Sequence, residues 1–164
     1  MLELKRTPLE GWGAIIKRLV DVVISAILII IFSPLMLLIA VIIKITSPGG
    51  PVLFKQKRVG LRKEFNFIKF RSMHPNADKK HEEYIKKYGN MFKLKNDPRV
   101  TKFGKLLRST SLDELPQFFL VFKGDMSIVG PRPPMPQEVK LYSNSQKKRL
   151  GIKPGITGLW QVSG

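Results

Sequence analysis

The feature that most constrains this chain is an apolar run from Val22 to Ile43, about 22 residues without a charged side chain. A helix rises about 1.5 Å per residue, so the run is long enough for the roughly 30 Å hydrocarbon core of a bilayer. Ser33-Pro34 stands in its middle, where proline lacks an N–H for the helical ladder and its ring crowds the preceding turn. Each arm alone is too short to span. Lys17 and Arg18 precede the run and Lys44, Lys55, Lys57 and Arg58 follow it, so the positive-inside rule keeps both flanks cytoplasmic. The expectation is a re-entrant membrane helical hairpin with Ser33 and Pro34 as its breakpoint. A kinked full span stays open, because spanning helices tolerate proline. A cleaved signal peptide is set aside: the run is too long, begins at Asp21 and is followed by no small-residue cleavage site.

Outside this run the chain is polar and strongly basic. Lys and Arg number 29 against 12 acidic residues, a formal charge of +17, which calls for a polyanionic partner: nucleic acid, anionic lipid or a phosphorylated substrate. No zinc-finger spacing, RNP-type aromatic motif or basic recognition helix supports nucleic acid. With no cysteine, disulfides, thiolate zinc sites and cysteine nucleophiles are excluded. His74 and His81 lie in a highly charged stretch and read as surface residues rather than as a metal pair.

The predicted fold class is α+β: the membrane hairpin, then a small soluble domain of short strands, helices and ordered Pro/Gly loops. The expected divisions are an interfacial arm over residues 1–16, with Trp12 and Ile15 suited to a membrane surface, the re-entrant helix over 17–46, and a cytosolic domain over 47–164. Ser47-Pro-Gly-Gly-Pro51 signals a turn, and Val52 to Gln56 a strand. Phe65 to Met73 predicts a strand with Phe65, Phe67, Lys69 and Arg71 on one face. Asn76 to Tyr88 predicts a polar helix stopped by Gly89.

Ser111-Leu-Asp-Glu-Leu-Pro-Gln117 opens a stretch in which Leu115, Phe118, Phe119 and Phe122 recur at helical spacing and should be buried on one side. Ser111 to Glu114 matches the S-x-x-E capping box of ordinary helices, but that register puts Pro116 too deep in the helix. Asp113 as cap puts the proline in the first turn. In either register Asp113 and Glu114 sit at a helix start, where phosphate also binds. Arg108 lies just before this pair, and Arg132 is held between prolines in Gly130-Pro-Arg-Pro-Pro134, a stiff setting for a guanidinium that grips phosphate. A solvated arginine is the alternative at each. Asp125, in Lys123-Gly-Asp-Met-Ser127, reads as a turn former before a metal ligand.

Taken together, Lys17-Arg-x-x-Asp21, Ser33-Pro34, Phe54-Lys-Gln-Lys-Arg-Val-Gly60, Lys69-Phe-Arg-Ser-Met73, Asp97-Pro-Arg-Val-Thr101, the SLDELPQ run, GDMSIVGPRP and Pro154-Gly-Ile-Thr-Gly158 resemble the bacterial sugar transferases, the monotopic phosphoglycosyl transferases. The resemblance covers nearly everything from Lys17 to Gly164. It implies Asp113 as nucleophile, Glu114 as its partner carboxylate, Mg²⁺ as cofactor on these two, and Arg108, Arg132, Lys69 and Arg71 as phosphate and substrate ligands. It also implies a nucleotide-sugar donor, with UDP as the expected carrier, and a polyprenyl phosphate acceptor, undecaprenyl phosphate in particular. The location implied is the bacterial inner membrane, with the catalytic domain on its cytoplasmic face. The family shows Asn-Val after the SLDELPQ run, where this chain has Leu120-Val121, and continues past Gly164, so this chain is expected to lack the family's C-terminal part. A catalytically inactive, membrane-bound scaffold is the alternative function, with a membrane-anchored nucleic-acid-binding protein behind it.

The chemistry asks for these residue types. Exchange of one phosphoanhydride for another is nearly balanced in energy, and an aspartyl phosphate preserves the activation of the transferred group. A carboxylate needs no general base but must approach an anionic diphosphate; two unit charges at 4 Å repel by roughly 4 kcal/mol at an effective dielectric of 20, so cations must surround the site.

Overall fold

The computed structural model describes residues 11–61, 63–75, 77 and 97–158. The helix expected over Asn76–Tyr88 and the His81 position fall outside these residues, apart from Ala77, which is helical. The apolar run folds into α1 (Trp12–Thr46), which already contains the end of the predicted arm. Two strands follow, β1 (Leu53–Val59) and β2 (Glu64–Phe70), paired with each other. After them come α2 (Lys102–Ser109), a 3-10 turn at Leu112–Glu114, α3 (Gln117–Lys123), β3 (Ser127–Val129), α4 (Pro136–Lys140), α5 (Asn144–Lys147), a second 3-10 turn at Lys148–Gly151, and β4 (Gly155–Thr157). The α+β class stands.

One expectation is corrected here. The predicted break at Ser33-Pro34 does not divide the run into two helices, since helical structure continues through Pro34. The local chemistry explains why. Proline leaves the carbonyl of Ile30 without its usual amide donor, and the Ser33 hydroxyl donates to that same carbonyl at 2.8 Å. By length and composition α1 can cross a membrane, and only 17% of its most apolar window is buried in protein, whereas the core helix of a soluble domain would be largely covered.

The chain forms two compact units. The first comprises Met1–Ser33, Lys55–Phe67 and Gln117–Gly164. Its α1 segment is joined to the rest by polar groups. Asp21, 4% exposed, accepts from the Ser127 hydroxyl at 2.8 Å and the Ile128 amide at 3.1 Å, and pairs with Lys17 at 3.3 Å. Lys17 also donates to the Ser127 hydroxyl. Arg18 donates to the carbonyls of Val121 at 2.7 Å and Phe122 at 2.8 Å, satisfying the last turn of α3. The Lys-Arg-x-x-Asp segment is therefore a joint, with Arg18 closing α3 and Asp21 holding β3.

β3 and β4 run parallel in the register Ser127 with Gly155 and Val129 with Thr157. Their backbones approach so closely that a Cβ on Gly155 would collide with the amide nitrogen of Gly130. Leu120, Val121 and Met126 are buried in this unit. The buried stripe expected at Leu115, Phe118, Phe119 and Phe122 is corrected: Leu115, Leu120 and Val121 are buried, while Phe119 and Phe122 are 47% and 49% exposed. With so short a helix, the turn before it decides which face points inward.

The second unit, Pro34–Phe54 and Ile68–Pro116, buries Met36, Ile39 and Ile43 of α1 with Phe70, Leu107 and Leu115. Thr101 caps α2, its hydroxyl accepting from the Gly104 amide at 2.8 Å while its own amide donates to the Ser72 carbonyl at 3.1 Å. A Cβ on Gly104 would collide with that carbonyl, so α2 lies directly on the chain that leaves β2.

The β3–β4 approach yields a test. Gly155→Ala should lower unfolding stability by about 1–3 kcal/mol through overpacking. Gly151→Ala, with nothing within 4 Å of the added carbon, should stay within about 0.5 kcal/mol of wild type. Denaturant melts of both variants in lipid nanodiscs decide; equal stability would mean the β3–β4 contact yields to an added methyl group.

Candidate active site

The carboxylate pair lies in the second unit. α2 ends at Ser109, Thr110 remains right-handed, and Ser111 turns into the left-handed region at φ 56°. Among the described residues it is the one non-glycine with positive φ, at a helix-end position that usually carries glycine. That reversal sends Leu112–Glu114 into the 3-10 turn, closed by the Glu114 amide on the Ser111 carbonyl at 3.1 Å. Neither predicted capping register forms: Ser111 makes no side-chain cap, and Pro116 precedes α3 instead of lying in its first turn. The sequence signals a helix start but not the glycine-like backbone that Ser111 adopts.

Asp113 is 6% exposed, and burial raises its pKa above the usual carboxylate range against the opposing pull of Lys69, Arg108 and its own backbone amide. Lys69 Nζ stands 4.0 Å from Asp113 Oδ2 and 5.7 Å from the centre of the Phe54 ring. Arg108 reaches from the last turn of α2 and donates through Nε to the Ser72 hydroxyl at 2.8 Å. Ser72 therefore orients Arg108 and carries the carbonyl on which α2 rests. The result is a desolvated carboxylate near two cations, with Glu114, partly exposed, next in the chain.

Arg71 is placed otherwise. It is 8% exposed, lies beyond the end of β2, and donates to the Ser47 carbonyl; a Cβ on Gly50 would collide with its guanidinium. Burial depresses its pKa. Because the strand ends at Phe70, alternation does not hold Arg71 on the face of Lys69: Lys69 lies toward Asp113, while Arg71 turns to the loop after α1. Asp97 accepts from Arg99 Nε at 2.8 Å and Nη2 at 2.6 Å, which lowers the Asp97 pKa and closes the Asp-Pro-Arg turn.

Arg132 belongs to the first unit, exposed on a loop fastened on either side of it. The Gly130 amide donates to the Thr157 carbonyl at 2.9 Å, and the Pro131 and Pro134 carbonyls accept from the amides of Gly155 at 3.0 Å and Val59 at 2.9 Å. Arg58, buried against the Phe67 ring at 5.5 Å, donates to the Pro133 carbonyl at 3.1 Å. Burial first, then the nearby Arg132 charge, lowers the Arg58 pKa. Asp125 pairs with Lys123 at 3.0 Å and Lys63 at 3.5 Å.

Of the residues the sequence singled out, Asp113, Glu114, Lys69 and Arg108 share one unit, with Arg132 in the other. Sequence reasoning passed over Phe54, Ser72 and Arg58. Each lies inside a quoted motif, but phenylalanine, serine and arginine in such places signal no role until folding gives them a partner. No group of three or more possible metal ligands occurs among the described residues. Two adjacent carboxylates, one of them under-compensated, form the kind of donor set that Mg²⁺ uses with substrate phosphates and water.

Residues 12–164 match the pattern of the family described as bacterial sugar transferase. The chain is 47% identical over 154 residues to a galactosyl transferase, CpsE, of Streptococcus agalactiae, covering 92% of this chain and 34% of that protein. It is 46% identical over 164 residues to a UDP-glucose:undecaprenyl-phosphate glucose-1-phosphate transferase of Klebsiella pneumoniae, covering 96% of this chain and 33% of the relative. With the exopolysaccharide production protein ExoY of Rhizobium meliloti it shares 41% identity over 160 residues, 93% of this chain and 70% of the relative. The chain thus spans about a third of the first two relatives and most of the third.

Burial of Asp113 carries a pH signature. The unfolded carboxyl ionises near its ordinary value of about 3.9 and the folded one higher, so in that window the folded state holds more protons and stability falls as pH rises. Asp113→Asn is therefore expected to raise the melting temperature at pH 7, with the gain disappearing below about pH 3.5. Thermal melts with a chelator present read this directly. A lower melting point for Asp113→Asn at pH 7 would show that Lys69 and Arg108 outweigh burial.

Proposed function

The chain belongs to the bacterial sugar transferase family, and on that premise we propose that it moves a sugar-1-phosphate from a nucleotide sugar onto a polyprenyl phosphate through Asp113. The observation that carries this reading is the buried Asp113 carboxylate with Lys69 at 4.0 Å and Arg108 beside it. One Asp113 oxygen attacks the sugar-bearing phosphorus, and the phosphoanhydride bond to the nucleoside monophosphate breaks. The phosphosugar is then held as an acyl phosphate until an oxygen of the polyprenyl phosphate attacks the same phosphorus and regenerates the carboxylate. Lys69 and Arg108 offset the repulsion between carboxylate and diphosphate. Mg²⁺, held by Asp113 and Glu114, would supply additional positive charge to the diphosphate. UDP as carrier and undecaprenyl phosphate as acceptor follow the name of the Klebsiella relative, and initiation of exopolysaccharide or other glycan assembly follows that of ExoY.

The anchor belongs to the same proposal. Basic residues flank α1 on both sides, which favours re-entry with a bend at Pro34 over a full span. Residues 17–46 then dip into one leaflet of the inner membrane, and the domain over 47–164 works at headgroup level on the cytoplasmic face. The outward Phe119 and Phe122 suit that depth.

Two measurements test this function. Incubation with a labelled UDP-sugar and Mg²⁺, without acceptor, should release UMP and leave a hydroxylamine-labile phosphosugar on the protein, and Asp113→Asn should abolish the labelling. Label retained in that variant would remove Asp113 as nucleophile. Because the chain has no cysteine, single cysteines at Trp12 and Lys57 can report topology cleanly. Both should react only from the cytoplasmic side, and periplasmic labelling of the Trp12 site alone would establish a full span.

A further inference from the structure

A cleft of roughly 800 Å³ opens in the first unit between the Gly130–Pro134 loop and the segment running from Tyr142 to Ile152. That volume falls within the range of small-molecule sites, about 300–1,000 Å³. It is lined by the apolar residues Pro131, Pro133, Pro134, Leu150 and Ile152 together with Tyr142, Arg132 and Arg149. Glu138 is the acidic residue on the described wall, and one of its oxygens already accepts from the Met135 amide at 2.7 Å. Behind the loop, Arg58 adds a third cation through its bond to the Pro133 carbonyl. The cleft is thus a positive, largely apolar recess with a few polar handles, and the β3–β4 backbone and the bonds to Val59 and Arg58 hold its rim in place.

We propose that this cleft is a nucleotide site, in which a nucleoside diphosphate lays its base against Tyr142 and the proline faces and reaches Arg132 and Arg149 with its phosphates. A flat aromatic group fits proline and tyrosine faces, and planar guanidiniums bind phosphate oxygens in pairs. Tyr142 and Glu138 both line the cleft and carry oxygens able to accept from ribose and base-edge hydrogens. A polyprenyl phosphate carries neither an aromatic ring nor sugar hydroxyls, and leaves these handles unused. Arg132 is fastened at its neighbours and exposed itself, so it loses little freedom on binding. This inference rests on the proposed reaction, whose donor carries a nucleoside diphosphate.

The probe is UDP, titrated calorimetrically into the full 164-residue chain in nanodiscs without acceptor. Tyr142→Ala and Arg149→Ala should each weaken binding by about 10-fold, the size expected for loss of a base stack or a phosphate contact. Tyr142→Phe, which keeps the ring, should stay within about 3-fold of wild type, and Lys147→Ala should not change binding; unshifted melting curves identify variants that fold. Unchanged UDP affinity in both alanine variants overturns the proposal, as does a wild type that does not bind UDP. Farnesyl phosphate binding that falls in the same variants while UDP binding does not would give the cleft to the acceptor and also overturn it. The two readings separate: loss of acceptor-free phosphosugar capture with UDP binding intact strikes the reaction alone, whereas normal UDP binding by the alanine variants beside intact capture strikes the cleft alone.

Discussion

A buried carboxylate within a largely apolar helix must find donors, and much of the first unit follows from how Asp21 finds them. Its acceptors take the Ser127 hydroxyl and the Ile128 amide, which anchors β3 on α1. Partner removal around such a buried charge is costly, because the ion is left desolvated and uncompensated. β3 in turn pairs with β4, and from their ends project the proline-rich loop that presents Arg132 and one wall of the cleft. Arg18, one turn from Asp21, closes α3 by taking its last carbonyls. A short charged segment in the first turns of α1 thereby orders a strand pair, a helix end and a loop.

The second unit places one carboxylate where it is poorly solvated and then surrounds it with cations that stop short of neutralising it. α2 rests on the Ser72 carbonyl through a glycine, which brings Arg108 to the Ser72 hydroxyl one turn later. Lys69 reaches toward Asp113 across the face of Phe54. The left-handed Ser111 turns the chain so that Asp113 points inward, and backbone strain at such a position is characteristic of sites where geometry has been favoured over local stability.

Much was legible in the chain itself. Length and apolarity announced α1, the period-2 pattern announced β2, and the motif series announced the family, each because the information is local or lies in residue identity. The sequence also named Asp113, Glu114, Arg108, Arg132, Lys69 and Arg71 together; the fold puts Arg132 in the first unit and the other five in the second. It failed where outcome depends on neighbours. Proline within a helix reads as a break, yet the serine beside it supplies the hydrogen bond that lets the helix continue. Phe119 and Phe122 read as core, because hydrophobicity at helical spacing does not say which face of so short a helix the fold will cover. Lys69 and Arg71 read as a pair on one face, and only the fold sends one to a carboxylate and the other to a loop carbonyl.

What the sequence by itself determined is therefore the inventory: a helix able to enter a bilayer, a basic domain, an adjacent pair of carboxylates and the arginines to serve phosphate. These are properties of single residues and of their spacing along the chain. Tertiary structure alone decided which carboxylate is desolvated, which arginines are exposed to bind and which are buried to brace, and that Tyr142 and Arg149 share a cleft with Arg132. Burial and juxtaposition are set by chain segments far apart in sequence, and the free energy of a charge depends on the dielectric and the partners that those segments bring to it.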